Sequence, residues 1–154
     1  MANYYADTSV LVKRHIQETG SAWIRSLMNA TPQNSFYTVQ LTEIELLSAL
    51  NRRWREKHIN PLRYARLKAV SQQLWSLHYV VLALDATVTA EAKALLERHP
   101  LRAYDAVQLA AAVVLQQSLQ ASRATPLTFL SADDRLLVAA RAEGLATDNP
   151  NHHP

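Results

Sequence analysis

Short β-prone runs alternate with longer helical segments along the whole chain, and this alternation constrains the fold more than any other sequence feature. Strands that are separated by helices predict a parallel sheet with helices packed on its faces. We therefore predict one three-layer α/β domain over residues 1–150, with a central parallel sheet flanked by helices, and a polar tail over 151–154. The predicted strands lie at 4–6, 36–39, 79–84, 126–130 and 145–149.

The helical segments differ in their apolar patterns. Segment 104–117 is apolar nearly all round, which predicts a central buried helix. Segments 42–57 and 62–78 each carry an apolar stripe that we expect to face the core. The stripes consist of Ile44, Leu47, Leu50 and Trp54 in the first, and of Leu67, Val70, Leu74 and Leu77 in the second. The unbroken run at 79–84 predicts a strand covered on both faces. A turn is predicted at 32–34.

Composition excludes several classes of function. The chain has only two glycines and no cysteine, so a glycine-rich phosphate loop, disulfides, thiol catalysis and cysteine zinc sites are all excluded. No apolar run approaches the roughly 20 residues that a membrane-spanning helix needs. The first residues lack the basic and apolar regions of a signal peptide. We therefore expect a cytoplasmic protein.

The whole chain has a formal net charge of +3, and many of its basic residues cluster in one short segment. Such a cluster can attract a polyanion. The alternative is a pair of solvated helix faces, and the charge run alone favours that second interpretation. The cluster consists of Arg52, Arg53, Arg55, Lys57, Arg63, Arg66 and Lys68.

Four acidic residues stand near the predicted ends of strands or the starts of helices. Asp7 and Asp133 follow two strands, Glu45 lies near the start of the helix after the second strand, and Asp105 opens the most buried helix. Each aspartate alone is explained as a helix cap or a helix-dipole partner, and Glu45 alone as an ordinary helix glutamate. Together they would converge at one sheet edge, where ligands bind in α/β folds, and raise one another's pKa values. A divalent cation relieves that repulsion, and oxygen ligands suit Mg²⁺ or Mn²⁺.

Glu45 has a rival in Glu43. The two residues are separated by about 200° around a helix, so only one of them can face the site. Ser48 and Ala49, three and four positions after Glu45, are small and leave room above it. We therefore predict Glu45 as the site residue.

Asp133 is nearer to the strand end than Asp134, which we predict to be a solvent-facing acid in the first turn of its helix. Ser131, two residues before Asp133, can add a hydroxyl to the site. Ser9 can contact metal-bound water beside Asp7, although capping of the following helix explains its hydroxyl equally well. Ser9 and Ser131 are therefore supporting candidates.

Four sequence blocks around these acids resemble the signature blocks of VapC-type PIN domains, the toxin halves of VapBC-like toxin–antitoxin pairs. The resemblance covers residues 2–150, and the blocks occur in the family's order. They are YADTSVLVK at 5–13, LTEIELLSALNRR at 41–53, LRAYDAVQLAAA at 101–112 and FLSADDRLL at 129–137.

The resemblance implies an endoribonuclease in which Asp7, Glu45, Asp105 and Asp133 are catalytic and hold one or two Mg²⁺ or Mn²⁺ ions. It also implies a homodimer, an RNA substrate and a cognate antitoxin that covers the active site. Segment 54–75 resembles the variable helical pair of these toxins, so we expect antitoxin or RNA contact there.

Aromatic, histidine and arginine residues outside the blocks have simpler interpretations. We predict Trp54 and Trp75 to be core aromatics. We predict a disordered end of the chain at His152 and His153. Arg102 could contact phosphate, but we favour the interpretation as a surface arginine without a partner.

Two other classes of function compete with the nuclease. A noncatalytic PIN-like domain that binds RNA or a partner would keep the acids only as caps and would not be stabilised by metal. A phosphotransfer enzyme could use Asp7 as acceptor, but no second Asp follows two residues later. We rank the phosphotransfer enzyme last.

Overall fold

A five-stranded, all-parallel sheet with helices on both faces forms the protein, in a computed structural model that describes residues 2–30 and 34–153. The predicted fold class is therefore confirmed. The predicted turn at 32–34 falls mostly on residues 32 and 33, outside the described residues. In chain order the strands are β1 (Ala2–Ala6), β2 (Asn34–Val39), β3 (Val80–Leu82), β4 (Leu127–Leu130) and β5 (Ala146–Asp148). The helices are α1 (Thr8–His15), α2 (Ser21–Asn29), α3 (Leu41–Arg55), α4 (Pro61–His78), α5 (Ala86–Arg98), α6 (Ala103–Ala121) and α7 (Asp134–Ala142), and a 3-10 helix follows at Pro150–His152.

The sheet is built outward from β1, in the order β3-β2-β1-β4-β5. Tyr5 of β1 pairs with Tyr37 of β2 on one side and with Phe129 of β4 on the other. The strand order therefore reverses direction at β1 and β4. In parallel sheets this reversal opens a crevice at the carboxyl ends of the strands, where ligands bind.

Side chains alternate between the two faces of the sheet and create two separate cores. Tyr5 and Phe129, whose rings stack with centroids 5.4 Å apart, belong to the core formed with α5, α6 and α7. Phe36 and Leu130 belong to the core formed with α1 and α2. A layer of helices thus covers each face, as the three-layer prediction requires.

Among the described residues, helix α6 has the largest number of buried residues of any helix, as its apolar sequence predicts. Seven of its residues are buried, including the fully buried Leu109 and Ala110. It packs against α5 and contacts both β2 and β4. Its first turn therefore reaches the carboxyl edge of the sheet.

The predicted apolar stripe of α3 is wrong in part. Leu46 and Leu50 are buried against Val12 and Ile16 of α1, whereas Ile44 is 68% exposed and Leu47 is also exposed. The side of α3 that contacts α1 therefore carries Leu46 and Leu50, which are four positions apart, and differs from the predicted stripe.

Helix α4 and strand β3 also depart from the predictions. No residue of α4 is buried, and both Val70 and Leu77 are exposed, because the helix lies at the rim and packs mainly against α3. Strand β3 was predicted to be covered on both faces, but it is the edge strand beyond β2, and Val80 is 51% exposed.

The prediction of disorder at His152 and His153 is wrong, because the end of the chain is packed onto the protein. His153 stacks on Trp23 with ring centroids 4.0 Å apart, and its Nε2 lies 2.9 Å from an Asp148 carboxylate oxygen. Gly20, with φ of +82°, allows this approach, because a Cβ there would lie 2.2 Å from the Pro150 carbonyl oxygen. The tail over 151–153 is therefore packed onto α2. Among the described residues, no helix is both long and apolar enough to span a membrane.

Candidate active site

A cavity of about 620 Å³ opens at the carboxyl ends of the central strands. All four predicted acids line it, although they come from four separate parts of the chain. Asp7 follows β1, Glu45 lies in α3, Asp105 in the first turn of α6, and Asp133 precedes α7. The fold therefore brings together the residues that the sequence predicted, while their catalytic and metal-binding roles remain predictions.

Asp7 is the most buried of the four acids, with only 6% of its surface exposed. It caps α1 by accepting a hydrogen bond from Val10 N at 3.1 Å, and it accepts two more from the hydroxyls of Ser9 and Ser131, each at 2.6 Å. Burial raises the pKa of Asp7 to about 6, against the opposing effect of these hydrogen bonds. All three donors are neutral, so they do not compensate the negative charge.

The predicted supporting residues, Ser9 and Ser131, lie where they hold Asp7 in place. Ser9 Oγ also accepts a hydrogen bond from Ala132 N at 2.8 Å, and Ser131 Oγ accepts one from Asp133 N at 3.0 Å. The two hydroxyls thus join the start of α1 to the loop between β4 and α7. Ser131 is fully buried.

Glu45 faces the cavity, whereas Glu43 is exposed on another side of α3. Ser48 and Ala49 line the same cavity, which agrees with the room predicted above Glu45. Glu45 Oε2 accepts hydrogen bonds from Thr8 Oγ1 at 2.5 Å and from Gln108 Nε2 at 2.8 Å. Two elements of the fold therefore orient this carboxylate.

Gln108 is a site residue that the sequence reasoning missed. Its Nε2 also donates to Thr42 Oγ1 at 2.9 Å, and its Oε1 accepts from the buried Tyr5 hydroxyl at 2.9 Å. It thus connects the core of the sheet to Glu45. A polar residue three positions after Asp105, in an otherwise apolar helix, is a signal that could have found it.

Asp105 and Asp133 form the other side of the cavity. Burial, followed by the charges of Asp133 and Glu45, raises the pKa of Asp105, while the charge of Arg102 opposes this rise. Asp133 also caps α7 by accepting from Arg135 N at 2.9 Å. The Asp133 carboxylate therefore caps α7 and lines the cavity at the same time.

The neighbouring Asp134 is exposed, as predicted, and it accepts a hydrogen bond from Asn149 Nδ2 at 2.7 Å. This contact ties the start of α7 to the loop after β5. The Asp134 carboxylate thus has a structural partner outside the cavity.

The donor chemistry of the cavity fits a hard divalent cation. Every candidate ligand is a carboxylate or hydroxyl oxygen, as Mg²⁺ and Mn²⁺ prefer. Burial raises the pKa values of Asp7 and Asp105, because the groups around these carboxylates do not fully compensate their negative charge. In residues 2–30 and 34–153, no three acidic or histidine side chains stand close enough together to hold an ion as placed.

Arginines surround the acidic floor of the cavity. Arg52 and Arg53 line it from α3, and Arg102 lines it from the start of α6. Glu18 bridges Arg53 Nη2 and the buried Lys13 Nζ, each at 3.1 Å. A cavity with acids at its base and arginines at its rim suits a polyanion that is bound together with a cation.

Comparison with known proteins gives a family and a fold. The PIN domain family matches residues 4–142. The chain belongs to the PIN domain family. A comparison with curated protein sequences found no match.

Several solved structures share the fold of the chain at low sequence identity. A toxin–antitoxin complex from Klebsiella pneumoniae is 15% identical with a TM-score of 0.60, over 97% of this chain and 98% of that one. VapBC2 from Rickettsia felis, bound to a DNA fragment from its promoter, is 12% identical with a TM-score of 0.61, over 96% and 98%. VapC20 from Mycobacterium tuberculosis, a toxin that cleaves the sarcin–ricin loop, is 17% identical with a TM-score of 0.61, over 88% and 94%.

Proposed function

We propose that this PIN domain protein is an Mg²⁺- or Mn²⁺-dependent endoribonuclease that acts as the toxin of a toxin–antitoxin pair. The observation that carries the proposal is the convergence of Asp7, Glu45, Asp105 and Asp133 on one cavity with an arginine rim. The fold shared with a toxin that cleaves the sarcin–ricin loop supports RNA as the substrate.

The residues of the cavity divide the work of phosphodiester hydrolysis. One or two bound Mg²⁺ or Mn²⁺ ions would activate water and neutralise charge on the scissile phosphate. Asp7 and Glu45 are held in place by hydrogen bonds before any substrate arrives, so they present fixed ligands. Arg52 and Arg102 at the rim would bind the flanking phosphates and orient the RNA backbone. In this mechanism no side chain becomes a covalent nucleophile.

The proposal includes a cognate antitoxin, a homodimer and a cytoplasmic location, as expected for this type of toxin. The toxin–antitoxin complex that shares the fold supports the antitoxin. Two exposed apolar side chains, Ile44 and Tyr104, stand at the cavity mouth. An antitoxin segment that covers the cavity would bury them and exclude RNA.

The deciding experiment compares two variants of α3 in an RNA cleavage assay with Mn²⁺ or Mg²⁺. Glu45→Gln should lower the cleavage rate by on the order of 100-fold or more, because it removes a charge from the metal site. Glu43→Gln should cleave like the unmodified protein, because Glu43 is exposed outside the cavity. An EDTA lane shows whether metal is required.

A thermal-shift measurement with the same metals separates the nuclease from a noncatalytic PIN-like domain. A four-carboxylate site should raise the melting temperature on adding Mn²⁺, and Asp7→Asn should reduce that rise. Intact RNA in every lane, with no shift on adding metal, would favour the noncatalytic binding domain.

A further inference from the structure

A second cavity, of about 510 Å³, lies at the other end of α3 from Glu45. We call it the Trp54 cavity, and it is lined by Trp54, Arg55, Lys57, Ile59, Asn60 and Pro61. Trp54 is 42% exposed, although the sequence predicted a core aromatic. The cavity therefore combines a partly exposed aromatic ring with the cations of Arg55 and Lys57.

The Trp54 ring packs against a second aromatic ring. Tyr64 of α4 stacks on it with ring centroids 5.0 Å apart and an angle of 16° between the planes. The Tyr64 hydroxyl donates a hydrogen bond to Asn51 Oδ1 at 2.7 Å, which fixes the supporting ring to α3. Because the pair is already ordered, a planar ligand that stacks on Trp54 loses little affinity to side-chain ordering.

The loop that completes the cavity is also preformed. Lys57 has a φ of +58°, a left-handed conformation that costs energy in a residue other than glycine. The buried Ile59 anchors the loop, and Asn60 caps α4 by accepting from Arg63 N at 2.8 Å. Such a conformation persists only where its surroundings hold it, so the concave shape is built in.

Charge around the cavity favours a polyanion. Between residues 52 and 63 the chain carries five basic residues and a single acid, Glu56, whose carboxylate lies 3.3 Å from His58 Nδ1. We call the cavity that the four acids line the carboxylate cavity. Arg52 and Arg53 line it, and Arg55 and Lys57 line the Trp54 cavity. The two cavities are therefore joined by a basic edge of α3. Trp54 is nine positions after Glu45, which is about 14 Å along a helix axis.

We propose that the Trp54 cavity binds a nucleobase of single-stranded RNA whose backbone follows the basic edge of α3 to the carboxylate cavity. Stacking on an aromatic ring with cations beside it is how proteins hold single-stranded nucleic acid without reading its sequence. A protein partner is the less favoured occupant, because the basic residues continue along α3 beyond the cavity, as suits the repeated phosphates of a polyanion. Binding of RNA at Trp54 does not depend on the proposed function, whereas delivery of that RNA to the carboxylates does.

The test measures binding in EDTA, so that cleavage plays no part in it. The probes are an oligouridylate of about ten nucleotides and an abasic oligonucleotide with the same number of phosphates. Trp54→Ala should weaken oligouridylate binding roughly 5- to 100-fold, and Trp54→Phe should stay within about 3-fold of the unmodified protein. Neither change should alter binding of the abasic probe, because that probe has no base to stack.

A fluorescence readout keeps the test independent of any loss of stability in Trp54→Ala. A Trp23→Phe and Trp75→Phe double variant leaves Trp54 as the single tryptophan, since the chain has three. Oligouridylate should quench its emission strongly, and the abasic probe should quench it weakly. Arg55→Gln should lower the dependence of log affinity on log salt by about 0.7 for the phosphate contact it loses.

Equal binding of both probes, or unchanged oligouridylate binding by Trp54→Ala, would overturn the proposal and assign the surface to a protein partner. Failure of the nuclease leaves a different signature. Base-dependent binding at Trp54 without any metal-dependent cleavage would reject the endoribonuclease and retain the nucleobase site.

Discussion

Helices α6 and α4 have nearly the same length, 19 and 18 residues, but opposite environments. Seven residues of α6 are buried between α5 and the sheet, whereas α4 buries none and lies at the rim beside α3. Both helices adjoin a candidate site. Helix α6 carries Asp105 and Gln108 into the carboxylate cavity, and α4 supports the Trp54 cavity through Tyr64.

The difference shows two ways in which a fold can support a site. Side chains on α6 are positioned by close packing, which suits ligands that must be held within a fraction of an ångström. Side chains on α4 are held by one aromatic stack and by a capped loop, which suits a surface that accepts variable bases. Mutations should therefore affect stability strongly in α6 and weakly in α4.

The largest expected effect is the loss of a core side chain from α6. Leu109→Ala should lower the free energy of unfolding by about 2 to 5 kcal/mol, because Leu109 is fully buried. Leu77→Ala in α4, where the side chain is 70% exposed, should change it by less than about 0.5 kcal/mol. Urea unfolding of both variants tests the comparison directly. Similar losses in the two helices would break it.

Protonation of the buried His15, at the end of α1, should destabilise the fold. Burial, with the charges of Arg14 and Arg25, lowers the pKa of His15 to about 4. Between pH 6.5 and 4 the unfolded chain therefore binds a proton at His15 that the folded protein does not, so the contribution of His15 to stability falls as the pH falls through this window. Asp7, whose pKa is raised to about 6, acts in the opposite direction, so the effect of His15 is read as a difference between two proteins. The expected loss is up to about 3 kcal/mol.

His15→Leu should remove this part of the pH dependence, because leucine does not titrate. The measurement is urea unfolding of both proteins at several pH values in EDTA. A constant difference in stability between them across the window would contradict the assignment to His15.

A moderate effect is expected where α6 meets the carboxylate cavity. Gln108→Leu should cost about 2 kcal/mol, since the buried Tyr5 hydroxyl loses its acceptor. It should also reduce RNA cleavage, because Glu45 loses a donor that orients it. The control is Gln117→Leu, an exposed position of the same helix. If Gln108→Leu keeps full activity, Gln108 has only a structural role.

The smallest effect is expected where α4 meets α3. Trp54→Ala should lower the free energy of unfolding by about 1 kcal/mol through loss of the stack on Tyr64. Arg55→Ala, an exposed neighbour, should change it by less than about 0.5 kcal/mol. Thermal unfolding of the two variants measures the difference. A loss as large as that of Leu109→Ala would show that α4 is part of the core.

Much of the fold and the placement of the candidate site residues could be predicted from the sequence. The alternation of strands and helices predicted the parallel sheet, and the position of acids after β1 and β4 predicted that they would share an edge. Helical geometry separated Glu45 from Glu43, because residues two positions apart point about 200° apart around a helix. These features follow from local periodicity and from one rule of parallel sheets.

Contacts between distant segments could not be predicted in the same way. The sequence reasoning missed Gln108, whose role depends on Tyr5 and Glu45 lying beside it, more than sixty positions away in each case. It also predicted burial of Trp54 and disorder of His153, because an aromatic ring favours burial and a polar terminus favours disorder.

The sequence alone determined the periodicity of each element, the order of the strands along the chain and the identity of the acids, since these depend on residues close together in the chain. Only the tertiary structure decided which apolar faces are covered. Apolar side chains are buried where another layer of the fold lies against their helix, as in α6, and exposed where the layer ends, as in α4. Burial is a property of the neighbours, and those neighbours come from elsewhere in the chain.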